Sequence, residues 1–298
     1  MDFELSVCIC SWNTRDDLQL CLSRLQDARQ EANFEVIVVE NNSEDGSGPM
    51  VATDFPWVTL LQQYRNLGFT GGNNLALYER KGRHALLLNS DPFVHPGAIR
   101  TMCAHIQNHP EVGVFGPKLL NLDGTLQYSC RRFPNPIAAL FRNTPMGRWF
   151  PNNRFTREYL MSDWDHLSER DVDWVSGAAL FIREEALEKI GGLDPDFFMF
   201  CEDMDLCWRA HEAGFRVRYF PDAVVTHKIG SSTSKAPNRM IFRFHRSMLL
   251  FFKKHLLKQL NPVLRPFAYG LAASGLTARA SLFLVKNQID RLRRRLGR

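Results

Sequence analysis

The run His84-Ala85-Leu86-Leu87-Leu88-Asn89-Ser90-Asp91-Pro92 decides the fold. It is short, apolar and bounded by Gly82 and an Asp-Pro break, so His84 to Leu88 reads as a buried strand. In an open parallel sheet, ligands bind just outside the carboxyl ends of the strands. Asp91 stands at such an end, where a hard oxygen could hold Mg2+ or Mn2+ against a diphosphate. An Asx turn leading into the next helix is the competing reading of an isolated Asp-Pro.

Strands and helices alternate around this run. Leu5 to Cys10, Phe34 to Val39 and Trp57 to Leu61 read as strands. Arg15 to Arg29, Gly72 to Arg80 and Pro96 to Asn108 read as helices. This is the βαβ pattern of a doubly wound, mostly parallel sheet. A hairpin is expected at Asn121-Leu122-Asp123-Gly124. Order gives way to Pro, Asn, Arg and Trp from Phe133 to Arg170, and Val172 to Ile182 resumes as strand.

The second informative stretch is Phe197-Phe198-Met199-Phe200-Cys201-Glu202-Asp203-Met204-Asp205, which returns through Arg209, Gly214 and Pro221 to His227. Leu206, Ala210 and Ala213 follow helical spacing, so a helix starting near Asp203 carries Glu202, Asp203 and Asp205 in or before its first turn. Capping and the helix dipole need one acid there, not three. The surplus fits a general base in a partly desolvated pocket. Two loops, Glu40 to Ser47 and Asn66 to Asn74, follow early strands with small residues whose backbone N–H groups could approach phosphate. Neither is G-x-G-x-x-G, so a dinucleotide fold has weak support.

The chain has 298 residues, 45% hydrophobic and 23% charged, enough for one large α/β domain or two small ones. Its seven cysteines include no C-x-x-C pair and fall mostly in apolar runs. They read as reduced, buried thiols of a cytoplasmic protein, not a metal-thiolate site. Met1 to Cys10 carries Asp2 and Glu4 without a basic region and reads as a first strand, not a signal peptide. The net charge of +5 is uneven, with Arg291, Arg293, Arg294, Arg295 and Arg298 closing the chain. Residues 263 to 285 are apolar but interrupted by Arg265 and Arg279. With the basic end, that segment reads as an interfacial amphipathic helix on an anionic membrane surface.

Together these pieces resemble glycosyltransferase family 2, the inverting enzymes of GT-A fold, and within it the rhamnosyltransferase-like branch of bacterial O-antigen, capsule and cell-wall assembly. The resemblance runs from about Val7 to His255. It rests on Ser11-Trp12-Asn13, the Asn66 to Asn74 loop, Asn89 to Asp91, Gly177-Ala178, and Glu202 to His227 with Gly230 and Ser232. It implies a GT-A domain over residues 1–235 and a basic helical extension over 236–298.

The resemblance also implies roles. Ser11, Trp12, Asn13, Glu40 and Asn42 would hold the nucleobase and ribose. Asn66, Gly68 and Asn74, with Asn89 and Ser90, would face the nucleotide sugar. Asp91 and His227 would hold a divalent cation, Mg2+ or Mn2+. Asp203 would be the catalytic base, with Glu202 beside it. Trp174, Gly177 and Ala178 would face the acceptor.

Two departures stand out. Glu40 replaces the family's usual Asp, and Asn89-Ser90-Asp91 carries one acid where a metal triplet usually has more, so metal dependence is expected to be weak. The branch favours dTDP-L-rhamnose, although related sequences use UDP-sugars. The basic, apolar C-terminal segment favours a polyprenyl-diphosphate-linked saccharide as acceptor and a peripheral place on the inner membrane face. Arg239, Arg243, His245, Arg246, Lys253 and Lys254 could meet a lipid phosphate or the donor diphosphate. A sugar nucleotidyltransferase and a non-catalytic glycan-assembly scaffold remain as alternatives. A nucleic-acid partner is not expected, since no aromatic platform for bases stands out.

Overall fold

The computed structural model describes residues 3–135, 153–228 and 237–296. Gly230, Ser232, Arg298 and part of the irregular region 133–170 lie outside them. The amino-terminal half alternates as β1 (Leu5–Ser11), α1 (Arg15–Ala28), β2 (Phe34–Glu40), α2 (Ser47–Asp54), β3 (Thr59–Gln62), α3 (Gly68–Glu79) and β4 (His84–Leu88). The short β5 (Pro92–Val94), then α4 (Ala98–Asn108), β6 (Val112–Leu120), β7 (Leu126–Gln127) and β8 (Cys130–Arg131) follow. Beyond them come α5 (Arg154–Leu160), β9 (Arg170–Asp171), β10 (Trp174–Val175), β11 (Ala179–Ile182), α6 (Glu184–Ile190), α7 (Glu202–Glu212) and β12 (Arg216–His227). Two long helices close the chain, α8 (Pro237–Phe251) and α9 (Arg265–Leu296).

The main sheet runs β3-β2-β1-β4-β11-β6-β12-β5. Its first four strands are parallel, as the alternation predicts. The second half is mixed, because the chain leaves β4 at Asn89 and places β5 at the far edge against β12. The free edge of β4 then takes β11 antiparallel, with Ala179 opposite Leu88. This crossing suspends Asn89, Ser90 and Asp91 over the carboxyl ends of the central strands. Helix α1 buries Leu18, Cys21, Leu22, Leu25 and Ala28, the stripe its spacing dictates. All five residues of β4 are buried. The expected hairpin forms between β6 and β7, where the N–H of Asn121 donates to the carbonyl of Thr125 at 2.8 Å.

Two segments depart from the expected boundaries. Helix α2 occupies a stretch that the sequence assigned to no element beyond the loop ending at Ser47, with Pro49 tolerated in its first turn. Helix α3 begins at Gly68 rather than Gly72. A Cβ on Gly72 would sit 2.3 Å from Cys10 Sγ, so the glycine lets α3 lie directly on β1.

The carboxy-terminal region is tied into this core. Ser247 Oγ donates to the Met199 carbonyl at 2.9 Å, and Lys254 pairs with Asp196 at 2.6 Å. These contacts bridge the boundary expected after residue 235. Beyond them α9 packs along α8, with Arg279 over the Phe244 ring at 5.9 Å. Helix α9 begins at Arg265 and runs on through Arg279. Residues 262–290 are long and apolar enough to cross a membrane by length and composition, and almost none of that apolar stretch is buried.

Candidate active site

A cavity of about 570 Å3 opens above the carboxyl ends of β1, β2 and β4. Its wall takes Trp12 and Asn13 from the end of β1, Asn41, Asn42 and Glu44 after β2, and Asn66, Gly68 and Phe69 at the start of α3. Asn89, Ser90 and Asp91 come from the end of β4, Ser176, Gly177 and Ala178 precede β11, and His227 ends β12. Phe198 to Phe200 with Glu202 and Asp203 bring in α7, while Arg239, Met240 and Arg243 bring in α8.

The acids of α7 divide by partner. Asp205 is fully buried and structural: it takes Arg209 Nε at 2.7 Å and His255 Nε2 at 2.7 Å. Arg209 passes the tie on to the carbonyls of Ile190 and Gly192 at 2.7 and 2.9 Å. Asp203 faces the cavity. Its Oδ2 accepts the N–H of Gly177 at 2.9 Å and its Oδ1 the N–H of Met204 at 2.8 Å. Burial raises its proton affinity above that of an ordinary aspartate, although the two backbone N–H groups pull the other way. Glu202 is buried beside it, and its Oε2 meets no hydrogen-bond partner among the described residues. Burial, then the neighbouring Asp203 charge, pushes the Glu202 carboxyl well above the usual range.

Backbone strain sets this corner. Phe200 and Cys201 adopt left-handed conformations in succession, with φ of 71° and 66°. For a bulky aromatic residue that is an outlier, held only where surrounding packing over-determines it. Phe200 packs edge-on against Phe244 of α8 with ring centroids 5.5 Å apart. The turn delivers Glu202 at the first position of α7.

Where β4 and β12 end, His227 Nε2 lies 3.3 Å from Asp91 Oδ1. His227 Nδ1 faces Gln127 Oε1 at 2.7 Å. Gln127 is oriented by donating its amide to Asn121 Oδ1 at 2.9 Å and to the His227 carbonyl at 3.2 Å. Nδ1 therefore carries a proton towards Gln127, and Nε2 turns to Asp91 with Asn89 Nδ2 3.4 Å away. Asp91 Oδ1 is buried and accepts no hydrogen bond among the described residues. A hard carboxylate oxygen and an imidazole nitrogen facing each other are ligand types that fit a divalent cation held between them.

Residues 3–244 match the family described as "Glycosyltransferase like family 2". The chain belongs to that family. It is 30% identical over 232 residues, 74% of this chain and 75% of the relative, to the N-acetylglucosaminyl-diphospho-decaprenol L-rhamnosyltransferase of Mycobacterium tuberculosis. It is 41% identical over 165 residues, 52% of this chain and 58% of the relative, to rhamnosyltransferase WbbL of Escherichia coli. Among solved structures, the mannosyltransferase PcManGT from Pyrobaculum calidifontis, in complex with GDP-Man and Mn2+, superposes with a TM-score of 0.56 at 17% identity, over 98% of this chain and 81% of that one. TarS 1–349 of S. aureus, in complex with UDP-GlcNAc, does so at 0.55 and 18%, over 93% and 72%. These likenesses carry the GT-A fold, and the enzyme is a glycosyltransferase.

Within this glycosyltransferase the structure gathers thirteen of the expected site residues around one cavity: Trp12, Asn13, Asn42, Asn66, Gly68, Asn89, Ser90, Asp91, Gly177, Ala178, Glu202, Asp203 and His227. It places four others behind the wall. Ser11 is fully buried and its hydroxyl meets Thr14 Oγ1 at 3.0 Å, from which Thr14 donates to Ser90 Oγ at 2.7 Å. Glu40 is buried and spends its carboxylate on the N–H of Ser43 at 2.6 Å and on the Gln62 amide. Asn74 bonds the backbone of Leu193 in both directions, at 2.7 and 2.8 Å. Trp174 is buried and donates Nε1–H to the Arg132 carbonyl at 3.0 Å. In each case the polar atoms are consumed by the scaffold before they reach the cavity.

Asn41 and Gln127 escape the sequence reading. Asn41 accepts from the N–H of Leu67 at 2.7 Å and donates to the Gly68 carbonyl at 3.1 Å, lacing the β2 loop to α3. The run Glu40-Asn41-Asn42 carried the signal without saying which asparagine does this. A second group of ligand-type residues, His105, His109 and Glu169, has donor atoms within 4.8 Å of one another. Arg218 Nη1 already lies 3.1 Å from His109 Nδ1 and 3.3 Å from Glu169, so a guanidinium supplies the cation there.

Proposed function

We propose that the enzyme moves a sugar, L-rhamnose from dTDP-L-rhamnose in our reading, from a nucleotide diphosphate to a hydroxyl of a lipid-linked saccharide by inverting single displacement. One observation carries this: Asp203 and the Asp91–His227 pair line one cavity, a base from the start of α7 and a place for cationic charge where β4 and β12 end. The acceptor hydroxyl gives its proton to Asp203 as its oxygen bonds the anomeric carbon. The bond from that carbon to the diphosphate oxygen breaks, and the nucleoside diphosphate leaves with the electron pair. A carboxylate of raised proton affinity is the better acceptor at neutral pH. Asp91 and His227 would hold Mg2+ or Mn2+, which when bound supplies positive charge for the departing diphosphate. One carboxylate there makes weak metal dependence the expectation.

The rhamnosyl donor and lipid-linked acceptor draw support from the names of the relatives and from the exposed apolar face of α9. That face would rest on an anionic membrane surface at the inner leaflet, which keeps the enzyme peripheral and its cavity in the cytoplasm. The test is release of nucleoside diphosphate from a panel of dTDP-, UDP- and GDP-sugars with a short polyprenyl-diphosphate saccharide. Turnover of dTDP-rhamnose, inverted at the anomeric carbon, is expected. Turnover of another donor alone overturns the sugar assignment, and retention of configuration overturns the mechanism.

A further inference from the structure

Among the described residues, the cavity has acids on most sides, with Glu44, Asp91, Glu202 and Asp203 in its wall. On one side, however, two guanidiniums enter from α8. Neither Arg239 nor Arg243 is paired with a carboxylate among the described residues, whereas Arg83, Arg209, Arg216 and Arg218 all are. Arg243 is pinned face-on, its guanidinium carbon 3.5 Å from the Phe198 ring centroid. Burial and the like charge of Arg239 both disfavour its protonated form. Arg243 is partly buried and Arg239 beside it is exposed, and a partly desolvated cation next to a like charge, with no carboxylate partner among the described residues, costs free energy that an arriving anion relieves.

We propose that Arg239 and Arg243 form a diphosphate-binding pair in the cavity wall. Guanidinium forks match phosphate oxygens bidentately, and a diphosphate offers two adjacent phosphates to two forks. Arg239 stands in the first turn of α8, whose positive end favours an anion, and Arg243 follows one turn on along the same helix. The glycosyltransferase reading, on which this rests for the origin of the ligand, provides two sources of that chemistry. One is the nucleoside diphosphate of the donor. The other is the diphosphate of a lipid-linked acceptor, since α9, with Phe267, Leu271, Leu282 and Val285 exposed, packs directly on α8.

The test uses the full chain and calorimetric titration with inorganic pyrophosphate, on wild type, Arg239→Ala, Arg243→Ala, the double variant and Arg243→Lys. Each alanine is expected to weaken binding roughly 10-fold and the double variant roughly 100-fold, with a shallower salt dependence and a smaller loss for Arg243→Lys. Arg239→Gln/Arg243→Gln replaces the alanines if those lower the melting temperature. If the donor is the source, the advantage of dTDP over dTMP, or of UDP over UMP, disappears in the double variant. If the acceptor is the source, nucleotide affinity stays and KM for a short polyprenyl-diphosphate saccharide rises at least 10-fold with kcat nearly constant. A double variant that melts like wild type and binds pyrophosphate, nucleoside diphosphates and polyprenyl diphosphate within 2-fold of it overturns the proposal. Loss of pyrophosphate binding in a chain that turns over no donor leaves the anion site standing and removes the transfer reading instead.

Discussion

Asp203→Asn perturbs the centre of the proposed mechanism, and the structure shows that it is not a silent isostere. Both carboxylate oxygens accept backbone N–H groups, from Gly177 at 2.9 Å and Met204 at 2.8 Å. Asparagine keeps one oxygen and turns an amino group towards the second N–H, donor against donor. Leaving that buried N–H unpaired costs about 1–3 kcal/mol. In a chain of this size each kcal/mol lowers the melting temperature by roughly 2–4 °C. Removing a general base slows transfer roughly 10²–10⁴-fold, about 3–5 kcal/mol of barrier. The two effects fall on different observables. Nucleoside diphosphate release at saturating donor and acceptor should drop at least about 100-fold. Donor affinity should stay within about 3-fold, because Asp203 is assigned to the acceptor's side. The assay pairs turnover with calorimetric donor binding and a melting curve on the same preparation. A variant that binds donor normally and keeps more than about a tenth of wild-type kcat would refute the assignment of Asp203 as base.

Glu202→Gln should stabilise the fold, and more so at higher pH. The folded state holds the Glu202 proton more tightly than the unfolded chain does, so ionising it as pH rises costs stability that glutamine never loses. A gain in melting temperature at pH 8.5 that shrinks towards pH 5 is the expected pattern; a pH-independent difference contradicts it. Asp205→Ala strands Arg209 and His255 in the core and should cost about 3–5 kcal/mol, read as a shift of the urea midpoint without a change in slope. Gly68→Ala puts a Cβ 2.5 Å from the Phe198 carbonyl at a φ of +79°, so Phe198 must move and donor affinity should fall at least about 10-fold in a protein that still folds. An unchanged dissociation constant would show that the Gly68–Phe198 contact does not shape the cavity.

Much of the architecture was legible because it depends on local pattern. The apolar run His84 to Leu88 and the stripe of α1 need no tertiary information, and both fall where expected. The acids around Asp203 were legible as a surplus over what a helix cap uses. Which acid is structural was not, since the Arg209 partner of Asp205 is one turn away but the second, His255, comes from a segment fifty residues on. The same limit explains Asn74 and Glu40. An asparagine beside a Gly-rich run reads alike whether its amide meets a ligand or the Leu193 backbone, and only the approach of the Leu193 loop decides. Gln127 is silent in sequence for a complementary reason: its role exists through His227, which reaches it from the far end of β12.

The site is also where the chain departs from what stability alone would choose. A buried Glu202 with an oxygen unpaired among the described residues, a desolvated Asp203, consecutive left-handed Phe200 and Cys201, and a partly buried Arg243 beside Arg239 with no carboxylate partner among the described residues all lie around one cavity. Each disfavours the folded state, and surrounding packing must offset them. Phe115 stacks on Phe181, and Asp205 is doubly paired. A fold selected for stability would replace Glu202 by glutamine and pair Arg243 with an acid. The charges are instead sorted by position: proton-accepting carboxylates on α7, an aspartate–histidine pair at the end of β4 and β12, and guanidiniums on α8. An anionic substrate bridging these three sides would neutralise Arg239 and Arg243 at one end of its length while a hydroxyl met Asp203. On that argument the stability given up around the cavity is recovered as binding, and the recovery is greatest for a ligand carrying both a diphosphate and a nucleophilic hydroxyl close by.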